Sequence, residues 1–405
     1  MNRRTIICSC LAAILVPLPA SAQNDQSDAQ IRAAIRRGVQ FLRGHQNGDG
    51  HWNYGGHELG ITSLVALAIL ENGVTLDDPA VKNALQYVRT NASQNSMTYD
   101  ISLAILFLVR VGDPRDRELI HLLGVRLAAG QLSSGGWSYQ CPLVMQAPKS
   151  SGSVTNSPRN NPDAARRSGR INIAPGLRPG VGDNSNTQFA VLGIWSAGRA
   201  GMDIRATMAE VDKRFRTSQA SSGGWGYSGR GDTDAMTCAG LMSLVLAKGH
   251  KVLEGQMVNR RPDKDQPEGP GGRPKMDSDP QIDRGIQRVE FYANNINLGS
   301  TLYFLWSVER VGVALGGSRI GRVDWYTKGA SVLLQAQQAD GSWRSNRGEL
   351  SDTSFALLFL RRSNLTEGMP QLVTGRSRES NENQMRAGKL EDLIRSVRPP
   401  AKSDP

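Results

Sequence analysis

Cysteine and aromatic rings are scarce in this chain, and no apolar stretch past the N-terminus reaches about twenty residues. Only 4 of its 405 residues are cysteine, and 6% are aromatic. Two of the cysteines, Cys8 and Cys10, fall in the first 22 residues. That leaves Cys141 and Cys238, which form at most one bridge or stay as separate thiols, so a disulfide-stapled scaffold is excluded. Without a later run of membrane length, the mature chain is expected to have no transmembrane segment. Acidic residues are nearly missing from 142–182, where Asp163 faces Lys149, Arg159, Arg166, Arg167, Arg170 and Arg178.

The remaining composition, 39% hydrophobic and 21% charged, suits a globular protein with a sizeable core. The opening "MNRRTIICSCLAAILVPLPASAQ" has the form of a secretory signal. Arg3 and Arg4 give the charged start, Thr5 to Leu18 the apolar middle, and Ala20-Ser21-Ala22 the cleavage site. Export, periplasmic or secreted, is therefore expected. The net charge of +11 is concentrated in the 142–182 stretch and the tail. Dispersed charge in Pro/Gly/Asn/Ser-rich sequence is a solvated loop able to touch an acidic surface. No nucleic-acid-binding motif is present, and no nucleic acid is expected as partner.

What is abundant is repetition. "QNGDGHW" (46–52) returns as "QLSSGGW" (131–137), "QASSGGW" (219–225) and "QQADGSW" (337–343). Each stretch follows an amphipathic helical pattern and precedes one that is apolar nearly all round, as a buried helix is. Apolar helices are expected at 61–73, 101–112, 187–201, 237–249, 300–312 and 353–364. Partner helices fit at 29–45, 79–90, 116–129, 203–218, 281–294 and 323–337. Polar residues suited to N-capping precede or open each apolar helix: His57 and Glu58, Asp100, Asn184 and Asn186, Asp232 and Asp234, Asn297, and Asp352. The second and fifth repeats lack the Gln–Trp signature. Six such hairpins satisfy either an open solenoid or a closed ring, and the apolar second helices favour the ring.

These Q-x-x-x-G-x-W stretches resemble the repeats of the squalene-cyclase and prenyltransferase superfamily, over about 30–363 apart from the insertions. The resemblance implies an all-α fold, an α/α toroid of six helical hairpins whose inner helices line a central cavity. It also implies that Gln46, Gln131, Gln219 and Gln337, with Trp52, Trp137, Trp225 and Trp343, are structural fasteners between hairpins. The expected organisation is a signal peptide at 1–22, the toroid at 23–364 with flexible insertions at 142–182 and 251–280, and a polar basic tail at 365–405.

Chemistry is less legible. Parallel inner helices would gather their N-termini at one mouth, ringed by His57, Glu58, Asp100, Asn184, Asn297 and Asp352. "GDTDAMTCAG" (231–240) resembles in part the D-x-D-D-T-A motif of squalene–hopene cyclases, which implies Asp234 as proton donor beside Asp232. Ala235 and Met236 replace the motif's third Asp and its Thr. Aromatic residues that would steady a carbocation are few, helical spacing turns several away from the lumen, and cyclases of that type use two α-domains where this chain has room for one. Prenyltransferase β-subunits bind zinc through Asp-x-Cys, which does not occur here; His57, Asp234 and Cys238 would meet only if the ring joins repeats one and four. No metal or other cofactor is expected, and no thioester Cys-Gly-Glu-Gln is present. The leading expectation is an exported protein that binds an apolar or isoprenoid-like molecule, or an envelope component, in its cavity. A terpenoid cyclase using Asp234 is the alternative. A non-catalytic interaction scaffold, or a polysaccharide-active enzyme pairing carboxylates from Asp100, Asp232, Asp234 and Asp352, comes after it.

Overall fold

Alternating amphipathic and all-apolar helical segments can bury both kinds of surface only by stacking the second kind inside the first. A computed structural model describes residues 20–143, 171–229, 231–259, 277–317, 319–345 and 347–362, and shows that arrangement. Outer helices are α1 (Ala20–Gly44), α3 (Pro79–Asn91), α5 (Arg117–Ala129), α7 (Arg205–Thr217), α9 (Pro280–Asn294) and α11 (Trp325–Ala336). Inner helices are α2 (Glu58–Glu71), α4 (Thr98–Val111), α6 (Asn184–Arg199), α8 (Asp234–Asn259), α10 (Leu302–Ala314) and α12 (Glu349–Arg361). Each inner helix packs on the next, and α12 packs back on α2, so the ring is closed. The fold is an α/α toroid. Among the described residues the only strand pairing is a two-residue one, Ile171–Asn172 parallel to Met202–Asp203.

The Gln–Trp stretches fasten the hairpins in one repeated geometry. Each Gln amide donates to the carbonyl of its own repeat glycine and to a backbone carbonyl of the next outer helix, in the first turn for Gln46, Gln131 and Gln219 and in mid-helix for Gln337. For Gln46 the second acceptor is Ala80 (2.9 Å), for Gln131 Thr207 (3.1 Å), for Gln219 Gln281 (2.8 Å) and for Gln337 Ala34 (2.9 Å). The last of these closes the ring onto α1. Each indole N–H donates to the final turn of the preceding outer helix: Trp52 to Leu42 (2.7 Å), Trp137 to Leu127 (2.5 Å), Trp225 to Phe215 (2.9 Å), Trp343 to Leu333 (2.8 Å). A threonine at the start of the inner helix completes the set by accepting the Trp backbone N–H: Thr62, Thr187, Thr237 and Thr353, at 3.0–3.2 Å.

The glycine of the stretch is fixed by sterics. Gly223 has φ +87°, and a Cβ there would lie 2.7 Å from the Arg284 carbonyl oxygen on the next outer helix. Gly223→Ala should therefore cost about 1–3 kcal/mol. Gly229→Ala, where a Cβ meets nothing, should change little; urea unfolding of the two variants side by side checks this.

Repeats without the signature use polar links instead. Arg89 on α3 bridges Asp113 and Asp116, each at 2.7 Å, and Arg126 donates to the Asn95 carbonyl at 3.0 Å. Between α9 and α11, Lys328 donates to the Asn294 carbonyl at 2.6 Å. A groove of about 330 Å³ lined by Leu302, Leu305, Leu333, Ala336 and Trp343 lies beside this fifth repeat.

Several boundaries differ from expectation. Inner helices α2, α4, α6, α8 and α12 begin three or four residues early, because Glu58, Asp100, Asn184 and Asn186, Asp234 and Asp352 belong to their first turns instead of standing outside them. Helix α8 runs through Gly249 to Asn259, so the stretch 251–280 is in part helix. Val252 and Leu253 pack on the core and Lys251 pairs with Asp212 at 2.8 Å, which offsets the roughly 1 kcal/mol that a helical glycine costs. Helix α10 continues past Gly312 because that glycine takes the Trp325 ring; a Cβ would lie 2.4 Å from it. The end of the 142–182 insertion is bound to the toroid, with Gly176 N–H donating to Ala128 (3.0 Å) and Ser133 N–H to Arg178 (2.8 Å). The signal segment 1–19, most of the basic insertion and the tail from 363 lie outside the described residues.

Candidate functional site

The inner helices run parallel, and their N-termini meet at one mouth. His57 Nδ1 and Asp100 Oδ1 are 3.0 Å apart, joining α2 to α4. Tyr99 donates to Ser185 Oγ (2.8 Å), joining α4 to α6. Tyr54, ahead of α2, donates to the Arg347 carbonyl beside α12. Two exposed rim tyrosines, Tyr139 and Tyr227, touch through their hydroxyls at 2.9 Å.

Below the rim, side chains cross the axis of the ring. Ser185 Oγ on α6 lies 3.1 Å from the Tyr303 hydroxyl on α10, which donates to Gln188; Gln188 in turn donates to Ser307 at 3.2 Å. Rings stack around this polar layer. Phe189 lies face to face with Trp306 (5.0 Å, 18°), Trp306 meets Phe355 at 5.1 Å, and Tyr99 sets its edge on Phe189 at 5.1 Å. Arg347 covers the Tyr303 ring at 4.5 Å. Phe189, Tyr303, Trp306 and Phe355 are each 4% exposed or less. Helical spacing was expected to turn several rings away from the lumen. Phe304 and Phe359 do face outer helices α9 and α11, but these four converge.

Carboxylates of the mouth are held separately. Burial raises Asp100, against the opposing bonds from His57 and Asn95 (3.0 Å each). Asp352 is also raised by burial while accepting from Ser345 N–H at 2.6 Å and Oγ at 2.9 Å. For Asp232 burial is outweighed by Arg288, Tyr292 (2.8 Å) and Ser222 (2.9 Å), which keep the carboxyl below its usual range and tie it to outer helix α9. Asp234 opens α8 half-exposed, four residues before buried Cys238, and accepts the Ala235 N–H at 2.6 Å. The two residues of the partial cyclase motif therefore look to different partners. Glu58 accepts from Gly56 N–H (3.0 Å) and braces its loop. Asn184 accepts from Arg214 at 2.9 and 3.0 Å. Asn297 turns its own loop at Gly299 (2.8 Å), and Thr301 is the side chain that caps α10. Likewise Asp183 caps α6, donated to by Asn186 N–H at 2.8 Å.

A zinc set of His57, Asp234 and Cys238 does not form: α2 neighbours α4 and α12, while α8 neighbours α6 and α10, across the ring. Among the described residues no three His, Cys, Asp or Glu gather at metal-binding distance. Cys141 and Cys238 are separate buried thiols. No helix among the described residues is long and apolar enough to cross a membrane.

One buried feature escaped the sequence reasoning. "SVERV" places Glu309 and Arg310 inside an apolar helix, both buried and paired with each other. Burial pushes Glu309 up to about 7, against the pull of Arg310 and Arg362.

No protein-family model and no curated protein matches the sequence. Solved structures do match. The type II terpene cyclase MstE from Scytonema, as an Asp-to-Ala variant in complex with merosterolic acid A (product), superposes with a TM-score of 0.50 at 12% identity, over 84% of this chain and 98% of that one. The fold is that of a type II terpene cyclase. A Tyr-to-Phe variant of MstE without ligand gives a TM-score of 0.50 at 11% identity, over 84% of this chain and 99% of that one. A protein from Actinoplanes gives 0.45 at 16%, over 82% and 99%. At such identities the likeness is one of fold, and it agrees with the resemblance carried by the Gln–Trp stretches. The MstE chain is itself about the size of one such toroid, since the match covers 98% of it.

Proposed function

We propose that this exported toroid binds an apolar, isoprenoid-like molecule on the axis of its ring, reached through the N-terminal mouth. The observation that carries the proposal is the convergence of Tyr99, Phe189, Tyr303, Trp306 and Phe355 from four inner helices. Aromatic faces gathered inside a ring of apolar helices are the chemistry of an apolar ligand site. Because the rings are packed against one another, a ligand reaches their faces only when some turn aside, and Arg347 over Tyr303 is the outermost to move. Slow entry follows. Neighbouring cyclases of the same fold support the ligand class; they do not carry catalysis over to Asp234.

Gentle purification followed by mass spectrometry of an organic extract tests the binding. A stoichiometric isoprenoid or lipid is the expected result, and an empty protein would favour a non-catalytic scaffold. If a cyclised product is found, Asp234→Asn should abolish it; unchanged product would rule Asp234 out as donor. Export is tested on the same preparation, since N-terminal sequencing should begin at Gln23.

A further inference from the structure

Among the described residues, the buried polar atoms without a hydrogen-bond partner include three on α6 and α10 below the mouth: the indole nitrogens of Trp195 and Trp306 and Oε1 of Glu309. Their residues are 4%, 1% and 0% exposed. Each such group costs about 1–3 kcal/mol when left unsatisfied. The three are not scattered. Trp306 and Glu309 are three residues apart on α10, which makes their side chains neighbours on one helix surface. Trp195 follows Gln188 by seven residues, two turns along α6, and so shares the face from which Gln188 reaches Ser307 on α10. Trp306 therefore lies level with the polar layer of Gln188, Tyr303 and Ser307, with Phe189 and Phe355 packed on it, and Glu309 and Trp195 lie further along their helices from the mouth.

What group satisfies such a set? A hydrocarbon satisfies none of it. A carboxylate or phosphate would accept from the indoles but would share with Glu309 the Arg310 cation that already pairs with it, which leaves two buried anions against that one guanidinium. An ammonium would suit Glu309 and leave the indoles without an acceptor. A hydroxyl does both, its oxygen accepting from an indole N–H and its proton going to the carboxylate. We infer that the ligand is an apolar alcohol, bound with its hydroxyl between Trp306 and Glu309 and its hydrocarbon along Phe189, Tyr303 and Phe355. The inference rests on the proposed apolar site and names the head group that site selects.

The test compares phytol with phytene, the same chain without the hydroxyl, by equilibrium dialysis against the full mature chain. Phytol should bind at least about tenfold more tightly, the effect of one well-made buried hydrogen bond. Trp306→Phe keeps a ring in the stack and Glu309→Gln keeps the shape; both should remove most of that advantage, with folding verified by circular dichroism. Equal binding of phytol and phytene would overturn the alcohol and leave the apolar site standing. Binding of neither would overturn the apolar site itself. A phytol advantage undiminished in both folded variants would move the hydroxyl away from Trp306 and Glu309 and end the inference.

Discussion

Trp343→Ala is expected to lose about 3–5 kcal/mol of stability, the range for removing a large buried aromatic side chain. Trp343 is fully buried, and its indole N–H ends on the Leu333 carbonyl at 2.8 Å. It also packs on α1, where a Cβ at Gly38 would lie 2.8 Å from its ring. The residue thus stands at the seam where the last repeat meets the first. Its loss opens a cavity, takes the donor from the Leu333 carbonyl at the end of α11 and weakens the closure that Gln337 makes onto Ala34. Closure matters more here than elsewhere, because an open end would expose the apolar sides of α2 and α12. Thermal and urea unfolding should show a melting point lower by several degrees, on the order of 5–10 °C, with a less cooperative transition. A loss no larger than about 1 kcal/mol would mean that the seam is held by the inner helices alone.

That seam was visible in the sequence, since a repeat carries its own register. Six apolar helices, their outer partners and the four fasteners could be placed because Gln, Gly and Trp recur at fixed spacing and each does one mechanical job. Thr62, Thr187, Thr237 and Thr353 were part of the same device and went unnoticed. They accept at 10 residues beyond the Trp in two repeats, 12 in a third and 50 in the second stretch, where the insertion intervenes. The mouth was less legible. Asp100, Asp234 and Asp352 fall inside first turns, where a free N–H draws a carboxylate as readily as at the cap itself, so composition alone cannot separate the two positions. Axis residues were least legible. Tyr303, Trp306 and Arg310 share a face of α10 in a helix that is buried on all sides, and burial on all sides erases the amphipathic contrast that would mark the inward one.

Arg310→Met should cost stability in a strongly pH-dependent way. Glu309 and Arg310 form a fully buried pair, and removing one partner of such a pair costs about 3–5 kcal/mol. Burial already holds Glu309 at about 7, above the ordinary 4.5. Between those two values the folded protein retains a proton that the unfolded chain has released, so stability falls as pH rises through that window and levels off above it. The size of the fall is on the order of 3 kcal/mol. Arg310 limits it, because its charge favours the carboxylate. Without Arg310 the carboxyl keeps its proton to higher pH and the decline continues past 7. The variant should therefore lose most of its 3–5 kcal/mol near about pH 9 and at most about half of it near about pH 5, where Glu309 is neutral in either protein. Glu309→Gln should flatten the wild-type slope between about pH 5 and 7. Urea titrations of the three proteins at two pH values separate the cases. An Arg310→Met loss that is the same at both would assign Arg310 to packing against Trp306, with its charge contributing nothing.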